Sequence, residues 1–274
     1  MIRIMIRFPL IIAIMTAFLF LGAIIRNLFS ERQSERLIRL LAAMTSRAAL
    51  FVLGVKLEST TASKLRHLSG SLVVSNHLSY LDVLVYASLS KLAFVTSVEI
   101  RDTPVLGWVS KMAGCKFVER RSRDNRDKEI SNLRNSMLAG QSIIVFPEAT
   151  STDGRTVKPF KLSMFGSVEG TDIQVIPCAI RYDINGNHPM DRISLDSVHW
   201  YGSMKFFPHM LRLCTLKGIT ARVEVLPSHS AMKLQTRNEL AAACHSDILN
   251  CYQSFMVPTK NRANILRRQI PDIA

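Results

Sequence analysis

Phe8 to Ile25 is a run of 18 residues without a charge. As an α-helix it is about 27 Å long, close to the hydrocarbon thickness of a bilayer. Arg3 and Arg7 precede it, and Arg26, Arg32 and Arg36 follow. A secretory signal also opens with basic residues and an apolar stretch. This run is longer than the usual apolar core of a signal, and no A-x-A site closes it, so it reads as an uncleaved anchor. Basic residues on both flanks leave its orientation open. A second stretch, Leu37 to Val55, places Leu37, Leu40, Leu41 and Met44 at helical spacing, with Arg36, Arg39 and Arg47 on a cationic side. It reads either as an interfacial helix with one face in lipid or as a domain helix with a buried stripe. A hairpin entering one leaflet and a crossing helix are both open at this point.

The net charge of +14 and pI of about 10.0 call for an anionic partner. Nucleic acid, anionic lipid headgroups and an acidic carrier protein all qualify on charge. The basic residues are not interleaved with aromatics, and no zinc-finger or RNA-recognition signature accompanies them, which argues against nucleic acid. A hydrophobic fraction of 48% with mean hydropathy +0.16 is too low for a multi-span transporter. The five cysteines are odd in number and lack C-x-x-C spacing, so they form neither a disulfide framework nor a zinc site. They read as buried thiols in a reducing compartment, and no metal is expected.

From about residue 58 the pattern alternates between strands and helices. Strand-like runs occur at Leu72–Ser75, Leu92–Thr96, Cys115–Glu119, Ser142–Phe146, Ile173–Ile180 and Ala221–Leu226. Asp124 can cap a helix in which Ile130, Leu133 and Met137 share a face. This predicts an α/β domain with a mainly parallel central sheet flanked by helices, behind an N-terminal membrane-associated helix or helical hairpin. The boundaries read as 1–57 for the anchor and interfacial helices, 58–257 for the α/β domain and 258–274 for a basic tail. Residues 183–215 read as irregular, with Asn185-Gly186, Pro189 and Pro208 marking turns.

The sequence has no G-x-S-x-G, G-x-G-x-x-G, P-loop or H-E-x-x-H motif, so its chemistry must lie elsewhere. Three clusters are candidates. Leu72-Val73-Val74 runs into Asn76-His77-Leu78-Ser79-Tyr80-Leu81-Asp82, which places His77 where a strand ends and a helix begins. Ligands of open α/β sheets bind at that edge. With Asp82 in the first turns of the helix, its carboxylate can fix the imidazole tautomer and stabilise the imidazolium, giving a general base without a protein nucleophile. The plainer alternative is a helix-capping Asp82 beside a satisfied core histidine. The second cluster, Phe146-Pro147-Glu148-Ala149-Thr150-Ser151, follows the apolar Ile143-Ile144-Val145, with Lys158 and Lys161 nearby. It reads as a clamp for a polyol headgroup or as a solvated, capping loop. The third is Gly114-Cys115-Lys116-Phe117-Val118-Glu119-Arg120-Arg121, extended by Arg123. It is either an anion site or a basic surface turn.

Taken together, these segments resemble the glycerolipid acyltransferase family, typified by 1-acyl-sn-glycerol-3-phosphate acyltransferases. That family carries H-x4-D preceded by Asn, matched by Asn76, His77 and Asp82. Its second motif, approximately G-x-x-F-x-x-R, is matched by Gly114, Phe117 and Arg120. Its third, approximately F-P-E-G-T-R-S, is matched by Phe146, Pro147, Glu148 and Thr150. Its fourth, a hydrophobic strand ending in proline, is matched by Val175-Ile176-Pro177. The resemblance spans roughly residues 70–180, in the family's order. Ala149 replaces the family's glycine, which matters little if the backbone there is not left-handed. Ser151 stands where the family commonly has an arginine associated with the acceptor phosphate.

The resemblance implies direct acyl transfer from acyl-CoA or acyl-carrier protein to a lysolipid hydroxyl, without cofactor. It makes His77 the base and Asp82 its orienting partner. Asn76, Glu148, Thr150 and Ser151 join the substrate-binding set, with Arg120, Arg121 and Lys161 holding the anionic group. The acceptor it implies first is 1-acyl-sn-glycerol-3-phosphate, and lyso-ornithine lipid is the alternative because of Ser151 and Asp153. Membrane lipids and an acidic carrier both suit the basic surface. The implied place is the bacterial inner membrane, with the catalytic domain on the cytoplasmic side. A basic, membrane-anchored nucleic-acid-binding protein and a noncatalytic lipid-binding protein are the rival classes.

Overall fold

The computed structural model describes residues 2–119, 123–184, 195–230, 232 and 236–255, without the side chains of 123–126. Arg120, Arg121, the side chain of Asp124, the Asn185-Gly186 and Pro189 turns and the 258–274 tail lie outside the described residues.

The chain opens with α1 (Ile2–Leu28) and α2 (Glu31–Leu53). They are antiparallel: Ser34 Oγ donates to Ile25 O near the turn, and Arg7 lies beside Gly54 at the other end. Gly54 stops α2 in a left-handed conformation (φ 72°), and its N–H reaches back to Leu50 and Phe51 carbonyls. A side chain there would also meet the Arg7 guanidinium, since an added Cβ lies 2.8 Å from Nη2.

The rest of the described chain is β1 (Val55–Glu58), β2 (Leu72–Ser75), α3 (Leu81–Leu89), β3 (Ala93–Ser97), α4 (Val98–Arg101), α5 (Leu106–Met112), β4 (Lys116–Val118), α6 (Arg123–Leu138), β5 (Ile143–Val145), β6 (Gln174–Ile184), α7 (Phe206–Thr215), β7 (Ile219–Val225), β8 (His229–Ser230) and α8 (Arg237–Ser254). The described strands form one sheet in the order β1-β7-β6-β2-β5-β3-β4, with β8 also on β6. Pairing is parallel except where β6 meets β7 and β8. Leu72, Val73, Val74, Ile143, Ile144, Val145 and Val175 are buried, as expected for central strands covered on both faces. The architecture is therefore the α/β one, with an apolar N-terminal helix. Because β2, β4 and β5 are parallel, the segments that follow them emerge at one sheet edge.

Two local expectations change. Residues 206–215 are helical, not irregular, because Pro208 falls in the first turn of α7, where a missing N–H goes unused. The strand read as Ile173–Ile180 runs from Gln174 to Ile184, and so passes through the Pro177 at which the family's fourth motif ends. On that side β8 pairs Gln174 and Val175, while β7 begins at Cys178, so Pro177 sits at the joint between two partners. Its carbonyl still accepts from Leu226 N (2.9 Å), and its lack of an N–H breaks no rung there.

α1 is tied to the domain at both ends. Arg7 donates to Leu216 O (2.6 Å), just past α7, and Arg26 donates to Lys111 O (2.8 Å) in α5. Between them Phe18 and Gly22 are buried, with Gly22 against Met112. Leu10, Phe20, Leu21 and Ile24 face outward, 45, 66, 43 and 37% exposed.

Candidate active site

β2 ends at Ser75, and the chain turns through Asn76 to His77 before α3 begins. Asp82 lies in the first turn of α3 and is fully buried. Its Oδ2 accepts from His77 Nδ1 (2.7 Å), Leu78 N (2.7 Å) and Ser79 N (3.0 Å). A carboxylate can only accept, so Nδ1 carries the proton and Nε2 keeps its lone pair. The His77 side chain is 19% exposed, and its ring stacks on Phe146, with centroids 4.2 Å apart and planes at 17°. The ring is thus fixed in plane and tautomer, with a basic nitrogen left over.

β5 is the next strand, and the segment that follows it closes round His77. Glu148 is 4% exposed. Its two oxygens accept from the backbone N–H groups of His77 (2.7 Å) and Lys158 (2.8 Å). The carboxylate therefore ties the β2 turn to the 158 segment. Thr152 N donates to His77 O (3.0 Å), and Trp200 N donates to Leu78 O (2.9 Å). Ser151 Oγ donates to Trp200 O. Thr150 and Lys161 are exposed, and the Lys161 N–H reaches Pro147 O (2.8 Å). Asn76 is 1% exposed, with both ends of its amide bonded to the Ile180 backbone. The structure thus brings Asn76, His77, Asp82, Glu148 and Ser151 together. β4, which leads to Arg120 and Arg121, lies three strand positions from β2. Phe146 as a ring platform and Trp200 as an anchor for the 151 loop were not singled out by sequence reasoning. Phe146 stood in the sequence as the first residue of the third motif, with no sign of a stacking role, and Trp200 offered no signal.

Burial pushes the Glu148 carboxyl from its ordinary 4.5 up to about 7, while the two amide donors and His77 pull the other way. Between those values the folded chain holds a proton that the unfolded chain has released. This group's contribution to stability therefore falls as pH rises through the window. Glu148→Gln should flatten that dependence and gain in Tm on the parent from about pH 5 to about pH 8. Catalytic turnover should nonetheless slow about tenfold, because the amide nitrogen now faces one of the two backbone donors. Thermal melts across this range with initial rates at the upper end check both halves; a parallel loss of Tm at all pH values would contradict the assignment.

Ala149 takes φ 63°, so the condition under which its replacement of glycine matters little is not met. A left-handed conformation costs an L-residue about 1–2 kcal/mol, of which the extra chain entropy of glycine offsets about 0.5–1. Ala149→Gly is expected to stabilise the chain by about 0.5–1 kcal/mol, measurable by denaturant melts.

The family model described as Acyltransferase matches residues 56–181. A lyso-ornithine lipid O-acyltransferase from Pseudomonas aeruginosa is 32% identical over 189 residues, covering 69% of this chain and 70% of that one. A protein of the same name from Brucella abortus is 32% identical over 166 residues, and the match spans 58% of this chain and only 60% of the Brucella protein. Among solved structures, the 1-acyl-sn-glycerophosphate (LPA) acyltransferase PlsC from Thermotoga maritima matches with a TM-score of 0.69 at 18% identity, covering 94% of this chain and 98% of that one. That likeness is one of fold. With the sequence matches and the residues gathered at the ends of β2 and β5, it leads to one conclusion: this chain belongs to the glycerolipid acyltransferase family.

Proposed function

We propose that this chain moves a fatty acyl group from an acyl thioester to the free hydroxyl of a lysolipid. The observation that carries this reading is the 2.7 Å bond from His77 Nδ1 to buried Asp82, which leaves Nε2 basic at the sheet edge. Nε2 takes the proton as the acceptor oxygen attacks the thioester carbonyl carbon. The tetrahedral intermediate collapses, the C–S bond breaks, and the proton passes from the imidazolium to the departing thiolate. No cofactor enters this sequence. The donor is acyl-CoA or acyl-carrier protein. The substrate set is Asn76, Arg120, Arg121, Glu148, Thr150, Ser151 and Lys161, of which Asn76 and Glu148 act by holding the backbone.

For the acceptor we favour lyso-ornithine lipid over 1-acyl-sn-glycerol-3-phosphate. Ser151 brings no positive charge, and its hydroxyl is turned to Trp200 O. The Pseudomonas and Brucella relatives carry the name of the lyso-ornithine activity. Asp153, a candidate partner for the ornithine amine, already pairs with Arg155 (3.2 Å), so the preference rests on Ser151 and not on that carboxylate. Lys158, Lys161 and Arg155 are exposed cations that support the phosphate acceptor as the second reading. Competition at equal concentration decides between them. Acylation of lyso-ornithine lipid in preference to lysophosphatidic acid is expected, with Ser151→Arg moving the ratio toward the phosphate. The reverse preference in the parent chain would reject the leading acceptor.

We also propose the division into 1–57, 58–257 and 258–274, with the first part seated in a membrane; β1, which straddles the first boundary, pairs within the sheet. The ties of Arg7 and Arg26 to the domain favour a helix lying in one leaflet over one that crosses. The cytoplasmic face of the bacterial inner membrane suits this arrangement, since thioester donors are cytoplasmic and that leaflet is anionic.

A further inference from the structure

Tyr182 lies outside every motif described above, 100 residues from Asp82 in sequence, yet its hydroxyl donates to Asp82 Oδ1 at 2.7 Å. Both side chains are fully buried. Oδ2 already receives His77 Nδ1 and two backbone amides. Among the described residues, Tyr182 is the one donor to Oδ1. Without it, half of a buried carboxylate faces the interior with no donor. The anion then gains by rotating Oδ1 toward the amides that now hold Oδ2, and that rotation pulls Oδ2 off the imidazole.

What brings Tyr182 there is a side chain imitating a strand. The β2–β6 ladder ends at Ser75 with Cys178. One residue on, the Asn76 amide takes over: Nδ2 donates to Ile180 O (2.9 Å), and Ile180 N donates to Oδ1 (2.8 Å). This adds one rung to the pairing and locks β6 beside the His77 turn. Tyr182 is two residues beyond Ile180 on the same face of the strand.

We propose that Tyr182 is a positioning residue for the His77–Asp82 pair, its hydroxyl holding the Asp82 carboxylate in the orientation that accepts His77 Nδ1–H, with the Asn76 clamp setting the register. Burial and the neighbouring Asp82 raise the Tyr182 phenol well above its ordinary value, so it stays a donor. It keeps its proton throughout; its effect is on how well the imidazolium is stabilised as the acceptor is deprotonated. Because Tyr182 is fully buried and removed from substrate, the effect falls on kcat and not on KM.

The inference rests on the proposed role of His77 as base, and the experiment separates the two. In full-length protein reconstituted in phospholipid, Tyr182→Phe is expected to lower kcat about 10- to 100-fold, the range for losing one hydrogen bond to a buried charge. KM for donor and acceptor should stay within about twofold, and the downfield proton resonance of His77 Nδ1–H should move. A cooperatively melting Tyr182→Phe with parental kcat overturns the inference. If that variant fails to fold, fluorotyrosines at 182 preserve shape and vary only the acidity of the hydroxyl. A kcat graded with acidity supports the role, and a flat series overturns it. His77→Ala runs alongside: activity in that variant removes the base assignment itself, whereas an inert His77→Ala beside normal Tyr182 variants removes only the inference about Tyr182.

Discussion

His77→Ala is expected to lower kcat at least about a thousandfold, in the upper part of the range for loss of a general base, while the protein stays folded. The two halves of this expectation come from different atoms. Catalysis is assigned to the imidazole, whose Nε2 is the basic nitrogen left after Nδ1 is committed to Asp82. The fold at this turn is held by the backbone of the same residue: His77 N donates to Glu148, and His77 O accepts from Thr152 N. Truncation leaves those bonds in place and removes the stack on Phe146, a loss of about 1 kcal/mol. Asp82→Asn should be nearly as damaging to rate, because a side-chain amide can donate toward Nδ1 and select the other tautomer. Single-turnover assays with a labelled thioester, alongside thermal melts, separate the two effects. Turnover within about tenfold of the parent in folded His77→Ala would mean that another group takes the proton.

The second large effect is on membrane retention. Leu10, Phe20 and Ile24 lie on the outward side of α1, away from the buried Phe18 and Gly22. Changing all three to lysine leaves the Arg7 and Arg26 ties untouched. Each substitution costs about 3 kcal/mol at the centre of an inserted helix and less near its ends, where a lysine can reach the interface. The triple variant should move from the vesicle pellet to the supernatant on sedimentation. Its activity on detergent-dispersed acceptor should remain near that of the parent. Undiminished vesicle binding would show that α1 is not what seats the protein, and that the basic surface alone suffices.

The parts of the site that were legible in sequence are those built from a strand and the residues immediately after it. Val73-Val74 before His77 and Ile144-Val145 before Glu148 are short, apolar and followed by polar residues. A parallel sheet then brings their ends together without further information. Glu148 was legible as a site residue but not in its structural use, because its partners are backbone amides, which every residue has. Asn76 is the same case. Tyr182 was not legible at all: its link to Asp82 depends on the register between β6 and β2, and that register is completed by a side chain. α7 was missed because proline signals a turn in general but is harmless in a helix's first turn. β1 escaped notice because only four residues pair, directly after an apolar helix whose pattern runs into them.

The two arginine ties on α1 have a topological consequence for the lipid population. A helix fastened at both ends to the catalytic body cannot sink into the bilayer without drawing that body down to the headgroups. With the seating and activity proposed above, the acceptor is drawn from the occupied leaflet and the product is left there. On the proposed activity, each acylation adds a second chain to a molecule in that leaflet alone, so the two leaflets diverge in area. Lipid made here for the far leaflet must afterwards be carried across by something else.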